Sequence, residues 1–227
     1  MIKYHDAPNR LEETHWEKAA RTRMGKYLTD IETDFIKSSI DLSLVTSVMD
    51  VGAEAGRFSK LFTDAATFVV SIDIDSYGLK RLKQKQNSVY VVQADARCIP
   101  FKDGTFDAIL MIEVLDYIPQ LDFALTECHR TLINGKSLIL SFGNKSSLKA
   151  KLREIQGKSY QHSYSRVIES VQRSGLVVER KTGYNWLLFG RTSDNRLISL
   201  LAWFERVLGF HRIPSLSPWV IVNAPMK

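Results

Sequence analysis

Hydrophobic positions along this chain fall into two rhythms. Between residues 11 and 40, Leu11, Trp16, Ala19, Ala20, Tyr27, Ile31 and Phe35 recur at helical spacing, which predicts one or two helices ahead of the first strand. From Leu44 onward, short apolar runs alternate with helical segments. Strand-like runs occupy 44–51, 67–75, 88–95, 105–113 and 136–142, and helical patterns fill 58–65, 77–86 and 121–132. Asn134-Gly135 marks the stop before the fifth strand. Apolar strands separated by helices imply a doubly wound, mostly parallel α/β sheet with helices on both faces and right-handed crossovers.

The second half is less regular. A helix is expected over 165–175 with Gly175 as its cap, a strand over 176–184 and a last strand over 218–225, which brings the sheet to seven strands. The segment 195–210 is a strongly apolar helix whose broad face carries Leu197, Ile198, Leu200, Leu201, Trp203, Phe204, Val207 and Leu208. Arg191, Arg196, Arg206, His211 and Arg212 flank that face. Such a helix can make a peripheral membrane contact. Packing on the sheet before the last strand is the favoured alternative. With no repeat or linker composition in view, 1–227 reads as one domain. Its expected parts are N-terminal helices or a lid (1–43), a ligand-binding core (44–145), and a substrate side with the last strands (146–227).

Composition narrows the class. The chain has 227 residues, 44% hydrophobic and 25% charged, with a formal net charge of +6. No apolar run approaches the roughly 20 residues that span a bilayer, and the first residues lack a signal-peptide core, so the expected location is the cytoplasm. Cys98 and Cys128 have no metal-ligand spacing and are expected to be reduced packing residues; no metal site is expected. The "KRLKQK" cluster at 80–85 reads as a solvated helix face.

The chemistry gathers at the strand ends. Asp50, Asp73 (or Asp75), Asp95 and Glu113 close four successive strands. In open parallel sheets ligands bind beyond the carboxyl ends. In "SVMDVGAEAGRFSK" the first loop carries Gly52 and Gly56 but also Asp50 and Glu54. Those acids repel a pyrophosphate, the G-x-G-x-x-G spacing is absent, and so is a Walker Gly-Lys-Ser/Thr. The ligand that fits has adenosine, no phosphate, and positive charge: S-adenosyl-L-methionine.

These segments resemble the class I S-adenosylmethionine-dependent methyltransferases, particularly their small-molecule, type 11-like branch with its Rossmann-like sheet. "VMDVGAEAGRFSK" resembles the family's first motif and "VVSIDIDSYGLKRLK" the second strand with its ribose-binding acid. "VYVVQADARCIPFKDGTFDAILMIEVLDYI" resembles the third and fourth strands, and "LTECHRTLINGKSLILSF" the helix and strand that follow. The resemblance runs in register over roughly 45–145. It implies that Asp73, with Ile74 beside it, takes the ribose hydroxyls and that Asp95 with Ala96 holds the adenine edge. It implies that Val51, Gly52, Ala53 and Gly56 let the backbone approach the methionine part, that Asp50 orients the loop or the ammonium, and that Glu113 and Val114 line the floor near the sulfonium. The product would be S-adenosyl-L-homocysteine. Glu54 stands where the family usually has a third glycine, and its side chain is expected to point to solvent. Tyr117 stands where the family often has a histidine.

Methyl transfer needs positioning more than a base, so the lack of an evident catalytic motif does not exclude an enzyme. His162 is a weak candidate for a base, with a surface role favoured. Trp16, Arg23 and Tyr27 are candidates for a lid, and Tyr117 and Tyr160 for the acceptor side. The expected acceptor is a small molecule, whether lipid, quinone-like ring or sugar. Two alternatives stay open: RNA methylation, favoured only by net charge, and a non-catalytic cofactor-binding sensor or scaffold. A nucleic acid partner is not expected, and the oligomeric state is not legible.

Overall fold

The computed structural model describes residues 11–63, 68–154 and 161–227. The seven expected strands form as Ser47–Val51 (β1), Phe68–Asp73 (β2), Tyr90–Gln93 (β3), Phe106–Met111 (β4), Leu132–Gly143 (β5), Arg180–Tyr184 (β6) and Trp219–Pro225 (β7). They make one sheet in the order β3-β2-β1-β4-β5-β7-β6, with β7 antiparallel to both neighbours. β4 is buried at all six positions because it sits at the centre with helices on both faces. β1 pairs in parallel with both β2 and β4, so the chain winds one way through β2 and β3 and the other way through β4 and β5. That reversal opens a crevice at the carboxyl ends of β1 and β4.

Alternation along each strand sorts the core into two layers. Val48, Ala108, Leu110, Ile139 and Ile221 face a cluster built with the helix Arg23–Ser39 (α2) and the short helix Lys60–Thr63 (α3). Leu82 of the helix Ser76–Lys85 (α4) joins the same layer. Met49, Val70, Ile109, Leu138 and Val222 face the other layer, under the helices Leu121–Thr131 (α5) and Tyr164–Arg173 (α7). Between them in sequence lies a helix that the pattern did not predict, Leu148–Glu154 (α6), whose Ala150 joins the first layer.

The N-terminal helix His15–Ala20 (α1) starts in a capping box of Thr14 and Glu17. Glu17 also meets Arg81 at 3.1 Å and Lys85 at 2.9 Å, which binds α1 to α4. Burial opposes its ionisation, but Lys85, the Thr14 amide and Arg81 prevail and hold it near 2. The 80–85 cluster is therefore not a purely solvated face: Arg81 is buried because Glu17 needs a counterion. Cys128 is buried as expected, whereas Cys98 is exposed rather than a packing residue.

The apolar helix forms as Ile198–Val207 (α8), but it does not pack its broad face on the sheet. It lies against α2, and Ile198 and Glu205 are its buried residues. The expectation of sheet packing fails because β7 and β6 are already covered by α2 and the 210–217 turn, leaving no apolar layer for the helix to enter. No described helix is long and apolar enough to cross a membrane.

At the end of the sheet away from the crevice, Asp107 clasps β1 to β4 and β5. Its Oδ2 accepts from the Thr46 hydroxyl at 2.7 Å and from the Thr46 and Ser47 amides at 3.1 Å, while Oδ1 meets Lys136 at 3.0 Å. Burial would raise its pKa, but these donors hold it well below the usual carboxylate range. Asp107→Ala is expected to lower the unfolding free energy at pH 7 by about 2–4 kcal/mol, measured by urea denaturation. Because the folded value is depressed, this stability is present above about pH 4 and is lost as pH falls through the folded pKa. A loss below about 0.5 kcal/mol at pH 7 would mean that the clasp contributes little beyond a surface pair.

Candidate functional site

A cleft of about 2120 Å³ opens over the carboxyl ends of the strands, roomier than the range typical for one small ligand. The glycine loop after β1 forms one edge, with Asp50, Val51, Gly52, Ala53, Glu54 and Gly56 all in its lining. Gly52 has φ +70°, and a Cβ there would fall 1.8 Å from Val114 Cγ2, so only glycine lets the loop close on the chain after β4. Asp73 and Ile74 follow β2, Asp95 and Ala96 follow β3, and Glu113 and Val114 follow β4; all six line the cleft. The sheet order sets their sequence across it, with β3 and β2 at one end and β7 and β6 at the other.

The acids are in four different electrostatic states. Asp73 accepts from the Glu54 and Asp75 amides, both at 2.9 Å, with one carboxylate oxygen on each. Ile74 beside it is 69% exposed, an apolar wall at a strand end. Asp95 is clamped by the Arg97 guanidinium, with a contact of 2.6 Å, and this hydrogen bonding lowers its pKa. Asp50 is buried and accepts from Ser59 Oγ at 2.8 Å; burial nonetheless pushes it up to about 6. Glu113 forms ion pairs with Arg57 at 3.0 Å and with Arg191.

Arg57 belongs to a larger buried cluster. It also pairs with Glu32 of α2 at 3.1 Å, and Glu32 accepts from the Tyr184 phenol at 2.6 Å. Burial, and then the Glu113 charge, raise Glu32. Burial would raise Glu113 too, but Arg57 and Arg191 prevail and hold it ionised. The Glu113 carboxylate also meets the Glu32 carboxyl, and Glu113 and Arg191 both line the cleft. Beyond them the cleft turns apolar, with Met24 and Leu28 from α2, Leu152 from α6, then Leu188, Phe189 and Trp219.

Three described non-glycine residues have positive φ: Glu54 (47°), Glu113 (60°) and Asn185 (67°), and all three line this cleft. Left-handed backbone costs a side-chain-bearing residue about 1–2 kcal/mol, and such strain collects at functional sites. At Glu113 the amide donates to Ser141 Oγ at 2.9 Å, which holds the turn. Glu54 departs from its expected place in solvent: its Oε2 folds back onto the Ala55 amide at 2.6 Å, satisfying a donor that the loop leaves open.

Other candidates scatter. Trp16 lines the cleft with the Arg191 guanidinium 5.1 Å from its ring centroid, and Tyr117 lines it at 67% exposure. Arg23 and Tyr27 do not, because they fall off the Met24–Leu28 stripe that α2 turns toward the cleft; Tyr27 instead donates to Glu205 at 2.6 Å. His162 is buried outside the lining with Nε2 3.0 Å from the Ile118 carbonyl oxygen, a packing role rather than that of a base or a surface residue. Tyr160 lies outside the described residues. Glu32, Arg57 and Tyr184 are not among the expected site residues, and Arg191, expected to flank α8, lines the cleft. Arg57, directly after the acid-rich glycine loop, was the one available signal.

Residues 49–140 match the family model described as "Methyltransferase domain". A ubiquinone biosynthesis O-methyltransferase of Xanthomonas oryzae pv. oryzae is 29% identical over 124 residues, 52% of each chain. A demethylmenaquinone methyltransferase of Streptomyces avermitilis is 31% identical over 111 residues, 48% of each chain. The chain thus spans about half the length of the curated relatives it matches. Among solved structures, one titled a putative sarcosine dimethylglycine methyltransferase from Galdieria sulphuraria superposes with a TM-score of 0.66 at 14% identity, covering 89% of this chain and 86% of that one.

Two outcomes are expected of this charge arrangement. Arg57→Leu leaves Glu32 and Glu113 with Arg191 alone and is expected to destabilise by about 3–5 kcal/mol in urea denaturation. Adding Glu32→Gln, which keeps an acceptor for Tyr184 without the charge, is expected to restore at least about 1 kcal/mol. Strict additivity of the two changes would refute the coupling. Glu54→Gly relieves the positive φ but loses the Ala55 contact, so ligand affinity by calorimetry is expected to stay within about threefold. A loss of tenfold or more would make Glu54 a ligand-contacting residue.

Proposed function

We propose that this chain, whose residues 49–140 match the methyltransferase domain model and whose fold is that of the class I S-adenosylmethionine-dependent enzymes, methylates a small, largely apolar acceptor of quinone-like or lipid type. S-adenosyl-L-methionine is the cofactor of this family, and the cleft suits it: the strand-end acids exclude a pyrophosphate, and Ile74 offers an apolar wall for a base. Asp73 would hold the ribose hydroxyls, Asp95 and Ala96 the adenine edge, and the Gly52–Gly56 backbone the methionine part. When bound, the cofactor supplies an electrophilic methyl group on a good leaving group, so positioning carries most of the acceleration.

The observation that supports the acceptor class is the Glu113–Arg191 ion pair in a cleft that is also lined by Met24, Leu28, Leu188 and Phe189. A ring bearing a hydroxyl would meet this ion pair: Glu113 would accept its proton in a hydrogen bond, and Arg191 would donate to its oxygen and favour the ionised, nucleophilic form. The ring itself would lie among Met24, Leu28, Leu188 and Phe189. The relatives named for ubiquinone and menaquinone methylation agree with this class. RNA methylation is disfavoured by the cleft itself, whose Arg57 and Arg191 are already paired with acids.

Transfer of labelled methyl from the cofactor to a polyprenylated phenol, in preference to total RNA, is the expected result. Asp73→Ala is expected to weaken S-adenosylmethionine binding by about tenfold or more, the value of hydrogen bonds to a charged acceptor. Cofactor binding with no transfer to any acceptor would favour the sensor reading. Absence of cofactor binding by the parent chain would sink the proposal.

A further inference from the structure

The helix α8 is built inside out. At 3.6 residues per turn, Ile198, Ala202 and Glu205 share one stripe, and that stripe is the side turned toward α2. Glu205 is the acid of 195–216, and it is the residue that is buried, its carboxylate accepting from Tyr27 at 2.6 Å. Burial raises its pKa despite that bond. The opposite face carries Leu197, Leu200, Trp203, Phe204, Val207 and Leu208, from 44% to 63% exposed. Gly209, at φ +73°, ends the helix, and Phe210, Ile213 and Leu216 extend the apolar face into the following turn. A monomeric soluble surface rarely exposes so much contiguous apolar area.

Two further observations identify the occupant. The first is charge: Arg196, Arg206 and Arg212 are exposed around the apolar face and outnumber Asp194, the exposed acid just ahead of the segment. A second copy of the chain would bring this cationic rim against itself, whereas an anionic surface would be drawn to it. The second is continuity with the cleft. The Trp186 ring lies 5.1 Å from that of Phe210, tying the apolar turn to the loop that carries Leu188 and Phe189. Those two side chains line the cleft, and Leu188 is 79% exposed at its mouth.

We propose that α8 and the turn after it dock on the surface of a bilayer containing anionic lipid, with the apolar face in the acyl boundary and the arginines at the headgroups, so that the cleft mouth at Leu188 opens toward the membrane. The docking stands on α8 alone; its consequence, delivery of an acceptor from the bilayer, rests on the proposed apolar acceptor class.

The test uses the full chain with two kinds of vesicle, phosphatidylcholine alone and phosphatidylcholine with a substantial fraction of phosphatidylglycerol. Co-flotation is expected with the anionic vesicles and much less with the neutral ones, falling as salt rises. Trp203→Glu combined with Val207→Glu is expected to reduce partitioning by about tenfold or more, and so is conversion of Arg196, Arg206 and Arg212 to Gln. Calorimetric binding of S-adenosylhomocysteine by each variant, expected to match the parent, shows that the fold is intact. Light scattering on the free protein separates the alternative: a dimer dispersed by Trp203→Glu, with no vesicle binding, would overturn the proposal in favour of self-association. A monomer that floats with neither vesicle would overturn it outright. Transfer to a water-soluble phenol without lipid is unaffected by either failure, so the docking and the activity are judged separately.

Discussion

The arrangement of this molecule depends on a cation placed among acids. Ending parallel strands in carboxylates gathers negative charge at one edge of the sheet, and burying such charge uncompensated costs several kcal/mol per ion. Arg57 resolves most of that conflict. Standing directly after the glycine loop, it meets Glu113 from β4 and Glu32 from α2, and its field reaches Asp50. Through Glu32 the cluster continues to Tyr184 at the far edge of the sheet, and through Glu113 to Arg191 in the loop before α8. Five separate segments therefore converge on one charge cluster. The N-terminal helix α2 is thus part of the cleft's electrostatics as well as a cover for the sheet.

The same cluster explains where strain is held. Glu113 takes its left-handed backbone while its amide is fixed by Ser141 and its carboxylate by two guanidinium groups, so the turn is determined from three directions. Asn185, also left-handed, is gripped through its carbonyl and its side chain by Lys149, at 2.9 and 2.7 Å. Glu54 is restrained on both sides by its own amide on Asp73 and its carboxylate on Ala55. In each case a polar contact holds a conformation that the side chain disfavours, and each conformation shapes the cleft wall.

The sheet was legible because a strand buried on both faces must be apolar at nearly every position, as β4 is, and because helices between such strands leave few topologies open. The strand-end acids were legible for the same reason: the ends of the runs locate the carboxyl edge. Their individual states were not, since Asp73, Asp95 and Glu113 look alike in sequence and differ only in the partners that folding brings them. Arg97 is two residues from Asp95 and could have been suspected. Arg191 is 78 residues beyond Glu113, and no local pattern joins them. His162 was misread for a related reason. A histidine before a helix reads as surface, but here the Ile118 carbonyl, from the segment after β4, takes its ring inward.

Helix α8 shows most plainly what periodicity leaves undetermined. An apolar stripe predicts that a helix buries a face without saying against what, and the customary assumption is the protein's own core. The deciding residue is the single acid. An acid facing inward beside an outward stripe of Trp203, Phe204 and Val207 is unfavourable twice over in water: it desolvates a carboxylate, and it leaves aromatic and aliphatic surface exposed. The Tyr27 hydroxyl offsets part of the first cost. Nothing within the described fold offsets the second. Rotating the helix by half a turn would bury the apolar stripe and free the acid, yet would remove the Tyr27 bond and take Ile198 and Ala202 out of the core. The proposed docking on an anionic bilayer would give the outward stripe apolar surroundings and set the arginines at its border against the headgroups.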